Sequence, residues 1–393
     1  MSDVKVRLLV VDDVAENRDL LIRRLNRLGI DQVDEAANGL EALAALDAKT
    51  YDLMLLDIMM PELDGFGVLA ALKEQGRTND LPIIVISAMN EIEAVVRCVE
   101  LGAEDFLFKP FNPTLLRARV LSSLEKKALR DRTREELKRK QAELNEARTL
   151  QLALTPQPFR ALLRSHPVSI DVVMEPAKEV GGDLVDYFQV GDDLLVLLLG
   201  DVSDKGAGAA LMMARTHSVF RALAGRPDAA ALFADPAKAM NLVNATLSVA
   251  NSTCMFVTLL LASFDIATRR LTFVRAGHIP PFHRNGASAG ARLSGSGGPP
   301  LGLVEDFDYQ QDSVVLTEND RVLIVTDGFT EANAPSGAMY GEERIDAFMA
   351  TLENHAMQPL QRLVKDVRSF EAGRPASDDM AAILLSLGNA AEP

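Results

Sequence analysis

The residues of this chain equipped for chemistry are aspartates at the ends of short apolar runs. In the first third, Asp12 and Asp13 follow the run Val6–Val11 and Asp57 follows Leu53–Leu56. Ser87 closes Ile83–Ser87, and Lys109 follows Asp105–Phe108. Three carboxylates meeting at one rim repel one another unless a hard cation sits among them. Mg²⁺, held by a few oxygens and waters, suits that place. A second group lies further on: Asp183 in EVGGD, Asp201 in GDVSDKGAGAAL, Asp327 in TDG, and the pair Asp378 and Asp379 in SDD. Asp201 and Asp327 directly follow the apolar runs LLVLLLG and RVLIVT. A lone DG is an ordinary turn. Several such sites together, all carboxylate with neither His nor Cys, point to hard divalent ions rather than zinc. Two metals so held can activate a water and clamp a phosphate.

The elements that must position these groups follow from the alternation of patterns. Up to about residue 125, five short runs, of which Gln32–Ala36 is the second, alternate with amphipathic segments near 15–28, 38–47, 64–74, 91–100 and 113–125. That order predicts a flavodoxin-like, doubly wound parallel sheet of the (βα)5 type, with its ligand site beyond the carboxyl ends of the strands. From residue 157 onward, strand-like runs cluster between helix pairs. Strands are expected at 170–174, 185–190, 194–199, 255–264, 271–276, 314–316, 322–326 and 380–387, and helices at 207–224, 236–250, 342–353 and 359–372. This predicts an α+β sandwich flanked by helices. The Gly/Ser-rich stretch Arg284–Pro300 reads as a loop.

Between the two lies Leu115–Leu154, free of Pro and Gly, with fifteen charged residues among the 24 from Glu125 to Arg148. Its composition favours helix, and TPQPFR ends it. Leu137 and Leu144 stand one heptad apart, with Val120, Leu121, Leu124 and Ala128 before them and Ala147, Leu150 and Leu154 after. The stretch is either a solvated spacer or a parallel coiled coil joining two copies of the chain, and the second reading is preferred. The domains are therefore expected at 1–122, 123–156 and 157–393.

The 393 residues suffice for two cores. A formal net charge of −15, with the linker's basic residues interleaved with acids, argues against nucleic acid as a partner. No run is long and apolar enough for a membrane span, and the first residues have no signal-peptide pattern. Cys98 and Cys254 are solitary, as befits packed thiols in a reducing cytoplasm.

LLVVDD, LLDIMMPELDG, IIVISA and DFLFKPF stand in the order and spacing of two-component response regulators, and residues 5–122 resemble their receiver domain. The resemblance implies that Asp57 accepts a phosphoryl group from a sensor histidine kinase. It implies that Asp12, Asp13, Asp57 and the Met59 carbonyl hold Mg²⁺, and that Ser87 and Lys109 bind phosphoryl oxygens. Such a transfer needs charge neutralised at the moving oxygens, which the metal and Lys109 supply. Ser87 and Phe106 would form the switch pair, and Lys109-Pro110 would be a cis peptide.

Residues 150–387 resemble the metal-dependent PPM (protein phosphatase 2C-like, SpoIIE-type) serine/threonine phosphatases of the bacterial partner-switching branch. QLALTPQPF, AGHIPPF, GPPLGL and TDGFTEANAPSGAMYGEERI carry the likeness. It implies two Mn²⁺ or Mg²⁺ ions bridged by Asp201, with the Val202 carbonyl and Asp183 on one and Asp327 and Asp378 on the other. Asp379 is either a ligand or a support for one, and water is the nucleophile. Asp204 stands where the family usually has Gly, and would bind a further metal or face solvent. His278 reads as structural. The expected substrate is a phosphoserine or phosphothreonine protein such as an anti-anti-sigma factor. The alternative is a catalytically inactive phosphatase-fold adaptor that binds a regulatory protein under receiver control.

Overall fold

The computed structural model describes residues 6–88, 92–110, 112–163, 166–178, 180–249, 251, 254–285, 290–352 and 358–388. The chain divides into two compact units, Met1–Lys140 and Gln141–Pro393.

In the first unit, β1 (Arg7–Val11), α1 (Ala15–Asn26), β2 (Gln32–Ala36), α2 (Gly39–Ala48), β3 (Leu53–Asp57), α3 (Gly65–Glu74), β4 (Ile83–Ser87), α4 (Ile92–Glu100) and β5 (Asp105–Phe108) alternate. The strands pair in parallel in the order β2-β1-β3-β4-β5. Both faces of the sheet are covered. Leu9, Met54 and Ile83 pack on one side with α2 and α3, while Leu8, Leu55 and Ile84 pack on the other with α1 and the next helix. This double burial explains why β1, β3 and β4 read as continuous apolar runs. Asn38 and Asp64 cap α2 and α3 by accepting the Glu41 and Gly67 N–H groups.

α5 (Pro113–Leu152) is one uninterrupted helix of 40 residues. The seam expected along it is not uniform. Leu116 and Val120 are fully buried in the first unit's core, with Leu124 packed against it, so this part of the seam is already occupied. Leu137 and Leu150 are exposed. Arg130 and Arg134 pair with Glu104 and Asp80, fastening the helix to the first unit further than the sequence suggests.

The second unit comprises β6 (Phe159–Leu163), β7 (His166–Glu175), β8 (Leu184–Val190), β9 (Leu194–Val202), α6 (Ala207–Ala224), α7 (Ala229–Phe233), α8 (Pro236–Ser248), β10 (Val257–Asp265), β11 (Arg270–Ala276), β12 (Phe282–Arg284), β13 (Ala291–Arg292), β14 (Gly297–Gly298), β15 (Asp312–Val315), β16 (Arg321–Val325), α9 (Asp327–Thr330), α10 (Glu342–Thr351), α11 (Pro359–Glu371) and β17 (Met380–Leu387). One sheet runs β14-β11-β10-β9-β8, with β15 on β11; the other runs β13-β12-β16-β17-β7-β6. Their inner faces interdigitate through Leu195, Leu197 and Leu199 against Ile324, Ile383 and Leu385. The outer faces carry α6 and α8 on one side and α10 and α11 on the other. β9 is thus buried on both faces, which is why LLVLLLG shows no polar alternation.

The short strands β6 and β12–β14 and the helix α7 went unread in the sequence. Of these, β12–β14 have only two or three residues each and carry too little periodicity to register, whereas β6 has five. Two of them, β13 and β14, lie inside the stretch read as a loop.

Candidate functional site

Parallel pairing brings the carboxyl ends of β1, β3, β4 and β5 to one rim. Asp12, Asp13 and Asp57 each place an oxygen within 4.8 Å of the others. Asp12 and Asp57 are buried and Asp13 is exposed. Lys109 Nζ donates to Asp12 Oδ2 at 2.7 Å and to Asp57 Oδ2 at 2.8 Å. Burial pushes the Asp57 carboxyl up despite that ammonium. Burial pulls Lys109 down, but its bonds to Asp12 and Asp57 leave it above its usual value. The Ile58 N–H donates to Asp57 Oδ1 at 2.8 Å. Met59 lies next, its side chain exposed. Ser87 is buried at the end of β4, and a small cavity beside it is lined by Phe106, Ala94, Val95 and Cys98. Lys109-Pro110 is cis. The all-oxygen set fits one hard divalent ion.

In the second unit, Asp201 lies at the end of β9, Asp327 opens α9 after β16, and Asp378 and Asp379 precede β17. Asp183 ends the Gly181-Gly182 turn into β8. The turn comes very close to the other carboxylates. A Cβ on Gly181 would meet Asp379 Oδ2 at 2.3 Å, and one on Gly182 would meet the Val202 carbonyl at 3.0 Å and Asp201 Oδ1 at 3.3 Å. At Gly181 a side chain would have to displace the Asp379 carboxylate, and at Gly182 its neighbours would have to yield by a few tenths of an ångström. The Asp183 and Asp201 carboxyls are close enough that each acts on the other's proton affinity. Thr326 Oγ1 donates to Asp183 Oδ2 at 2.9 Å.

The electrostatics are those of like charges crowded in low dielectric. Burial, then Asp201 and Asp379, hold the Asp183 carboxyl well above the usual range. Burial, then Asp327 and Asp378, push Asp201 up to about 7. Burial and Asp378 raise Asp327. Carboxyls in this state share protons in the absence of cations, and an all-oxygen donor set suits hard divalent ions in their place. Among the described residues, three carboxylates within 4.8 Å of one another occur only at the receiver-like rim. The second cluster is more widely spread.

The two adjacent aspartates differ. Asp379 is spent on backbone: its Oδ1 accepts the Ala177 N–H at 2.7 Å and its Oδ2 the Gly182 N–H at 2.7 Å. Asp378 Oδ1 accepts the Asp379 N–H, and Oδ2 faces outward to Lys205 Nζ at 2.8 Å.

Residues 191–388 match the family model "Stage II sporulation protein E (SpoIIE)", half of the chain. The chain belongs to the SpoIIE family. Residues 8–121 match the response regulator receiver domain. Protein IcfG of Synechocystis sp. is 30% identical over 197 residues, covering 45% of this chain and 31% of that protein. The probable transcriptional regulator ycf27 of Cyanidium caldarium is 42% identical over 119 residues, 30% of this chain and 46% of its own. The chain thus spans under half the length of these relatives. The solved SiaA-PP2C domain of Pseudomonas aeruginosa superposes with a TM-score of 0.53 at 22% identity, over 64% of this chain and 98% of that one, a likeness of fold.

Within this SpoIIE family member, the sequence missed three supporting groups. Asn17 Nδ2 donates to both oxygens of Asp12, at 3.0 and 3.2 Å. Thr326 precedes TDG and holds Asp183. Gln151, in the last turn of α5 and buried, donates to the Gly181 carbonyl at 2.7 Å and accepts the Gly181 N–H at 3.0 Å. The glutamine stands in QLALTPQPF, which was read for its likeness, with no partner in view. Asp204 is exposed, at φ +80°, the region where glycine is at ease. His278 is buried, its Nδ1 3.0 Å from the Ile279 carbonyl, and burial lowers it to about 4.

Proposed function

We propose that this chain is a response regulator in which phosphorylation of Asp57 by a sensor histidine kinase controls a metal-dependent serine/threonine protein phosphatase. The observation that carries the reading is the cluster of Asp183, Asp201, Asp327 and Asp378, drawn from four separated segments. Burial, and after it their mutual repulsion, lifts Asp201 to about 7, and bound cations would offset both.

Two Mn²⁺ or Mg²⁺ ions would be held by Asp201 together with Asp183, the Val202 carbonyl, Asp327 and Asp378. Asp379 is assigned to positioning, because both its oxygens hold the backbone that carries Asp183. The paired ions, when bound, lower the pKa of water and neutralise phosphate charge. Around them, the residues fix geometry. Asp379 and Gln151 hold the Gly181–Asp183 turn, and Thr326 orients the Asp183 carboxyl.

At the other rim, Asp57 is assigned as phosphoryl acceptor, Asp12, Asp13, Asp57 and the Met59 carbonyl as Mg²⁺ ligands, and Ser87 and Lys109 as the groups that bind phosphoryl oxygens. The cavity between Ser87 and Phe106 leaves room for the ring to move when the hydroxyl is drawn toward phosphate. The domain limits 1–122, 123–156 and 157–393 are retained. α5 carries the signal, since Gln151 in its last turn touches the turn that presents Asp183. A parallel homodimer through α5 uses Leu137, Leu144 and Leu150, and phosphorylation activates by changing that pairing. The substrate is a phosphorylated small regulator of the anti-anti-sigma type.

The test is Mn²⁺-dependent release of phosphate from a phosphoserine regulator, with and without a beryllofluoride mimic on Asp57. Asp201→Asn should abolish turnover and Asp57→Asn should abolish the response. Hydrolysis unaffected by Asp201→Asn would refute the assignment.

A further inference from the structure

We propose that Lys205 is the cation that binds the phosphoryl group of the substrate, a role that rests on the phosphatase reading above. Lys205 stands four residues after Asp201, in the turn between β9 and α6. Its Nζ donates to Asp378 Oδ2 at 2.8 Å and to the Ser377 carbonyl at 2.7 Å. The side chain is 43% exposed, so the ammonium sits at the mouth of the cluster and not within it. Its charge acts on Asp378, Asp379 and Asp201, and it eases the Asp327 carboxyl.

A lysine–aspartate pair at a surface is ordinarily a weak contact with no function. The turn argues otherwise here. Asp204 adopts φ +80° and its Oδ1 accepts the Lys205 N–H at 2.8 Å; Gly206 follows at φ +88°. Aspartate tolerates that region better than most residues, and here its own side chain closes the turn onto the Lys205 backbone. The effect of the turn is to point Lys205 at the Asp378 side of the cluster.

Charge supplies the reason. Asp183, Asp201, Asp327, Asp378 and Asp379 bring five negative charges, and two divalent ions cancel four. A phosphate monoester, itself anionic, would meet a residual negative site. One ammonium at the mouth removes the excess. Were Asp378 to ligate a cation, Lys205 would lose that partner and its ammonium would be available to an anion, for which a compact point charge suits phosphate.

The test uses the full chain loaded with Mn²⁺, as wild type, Lys205→Met and Lys205→Arg. Turnover of a phosphoserine peptide, binding of inorganic phosphate and binding of Mn²⁺ are each measured, the last two by calorimetry. Lys205→Met should raise KM and the phosphate Kd at least about tenfold with kcat within about threefold, and Lys205→Arg should restore part of both. Mn²⁺ should bind Lys205→Met as tightly as wild type or more so, because a competitor for Asp378 is gone. Phosphate affinity and KM within twofold of wild type would overturn the proposal, as would unchanged phosphate binding with weakened Mn²⁺ binding, which would make Lys205 a positioning group for Asp378. A wild type that turns over no phosphoprotein counts against the phosphatase reading, and phosphate calorimetry still reads Lys205 in that case.

Discussion

Replacing Gln151 by Leu tests whether the linker helix holds the metal site. Leu is close in volume but can neither donate to the Gly181 carbonyl nor accept the Gly181 N–H, so both backbone groups lose a buried partner. Each lost bond is worth about 1–1.5 kcal/mol net, giving roughly 2–3 kcal/mol for the pair. If that loss falls wholly on the arrangement of Gly181–Asp183 that binds metal, Mn²⁺ affinity drops by roughly 30- to 150-fold, at about 1.4 kcal/mol per tenfold. Water reaching Gly181 would make the drop smaller. Gln151→Glu should do no better, because it keeps the acceptor but sets a carboxylate oxygen against the Gly181 carbonyl. The assay is calorimetric titration of the metal-free full chain with Mn²⁺, alongside turnover at saturating Mn²⁺. Activity should recover when metal is in excess. Mn²⁺ affinity of Gln151→Leu within threefold of wild type would refute the idea that this glutamine holds the turn.

Asp378→Asn should weaken Mn²⁺ binding and abolish turnover, whereas Asp379→Asn, which removes a backbone clamp, should lower thermal stability and weaken Mn²⁺ only moderately; equal effects in calorimetry would contradict the division of roles. The metal-free protein should lose stability as pH rises from about 4 through about 7, because Asp183, Asp201 and Asp327 have raised folded pKa values, so folding is favoured while they are protonated. Urea unfolding across that range should show the decline, and saturating Mn²⁺ should reverse it. Asp204→Gly should gain about 0.5–1 kcal/mol by relieving the positive φ, read from the urea midpoint. Leu137→Pro should abolish dimerisation in sedimentation and the response to phosphoryl-Asp57, since a proline breaks a helix interior by about 3 kcal/mol.

The sheet strands that carry aspartates were legible because they are buried on both faces: Leu53–Leu56 and Leu194–Leu199 are apolar without interruption, and a run of that kind ends where the polar residue begins. Short edge strands such as Ala291–Arg292 were not legible, since pairing across the sheet and not local pattern makes them strands. The gathering of Asp183, Asp201, Asp327 and Asp378 could be anticipated from residue type and motif. Gln151 could not, because its value lies wholly in a long-range contact with Gly181. The same holds for the difference between Asp378 and Asp379, which are equivalent as letters and are separated only by which backbone N–H groups each meets. The linker seam was read too long for a physical reason. Val120 and Leu124 have the spacing of a pairing helix, and equally that of a helix packed on its own sheet.

β9 is enclosed by side chains above and below, and Asp201 is its penultimate residue. An amide in such a strand is expected to exchange its proton with solvent only when the unit unfolds, whereas the exposed turn bearing Lys205 can open at smaller cost than the buried, clamped turn bearing Asp183. The aspartate at the centre of the cluster is therefore fixed to a strand of the double-sided core, while Lys205 rides on an exposed turn. A change in that exposed turn alone would retune the entrance of the site and leave the strand that anchors it untouched.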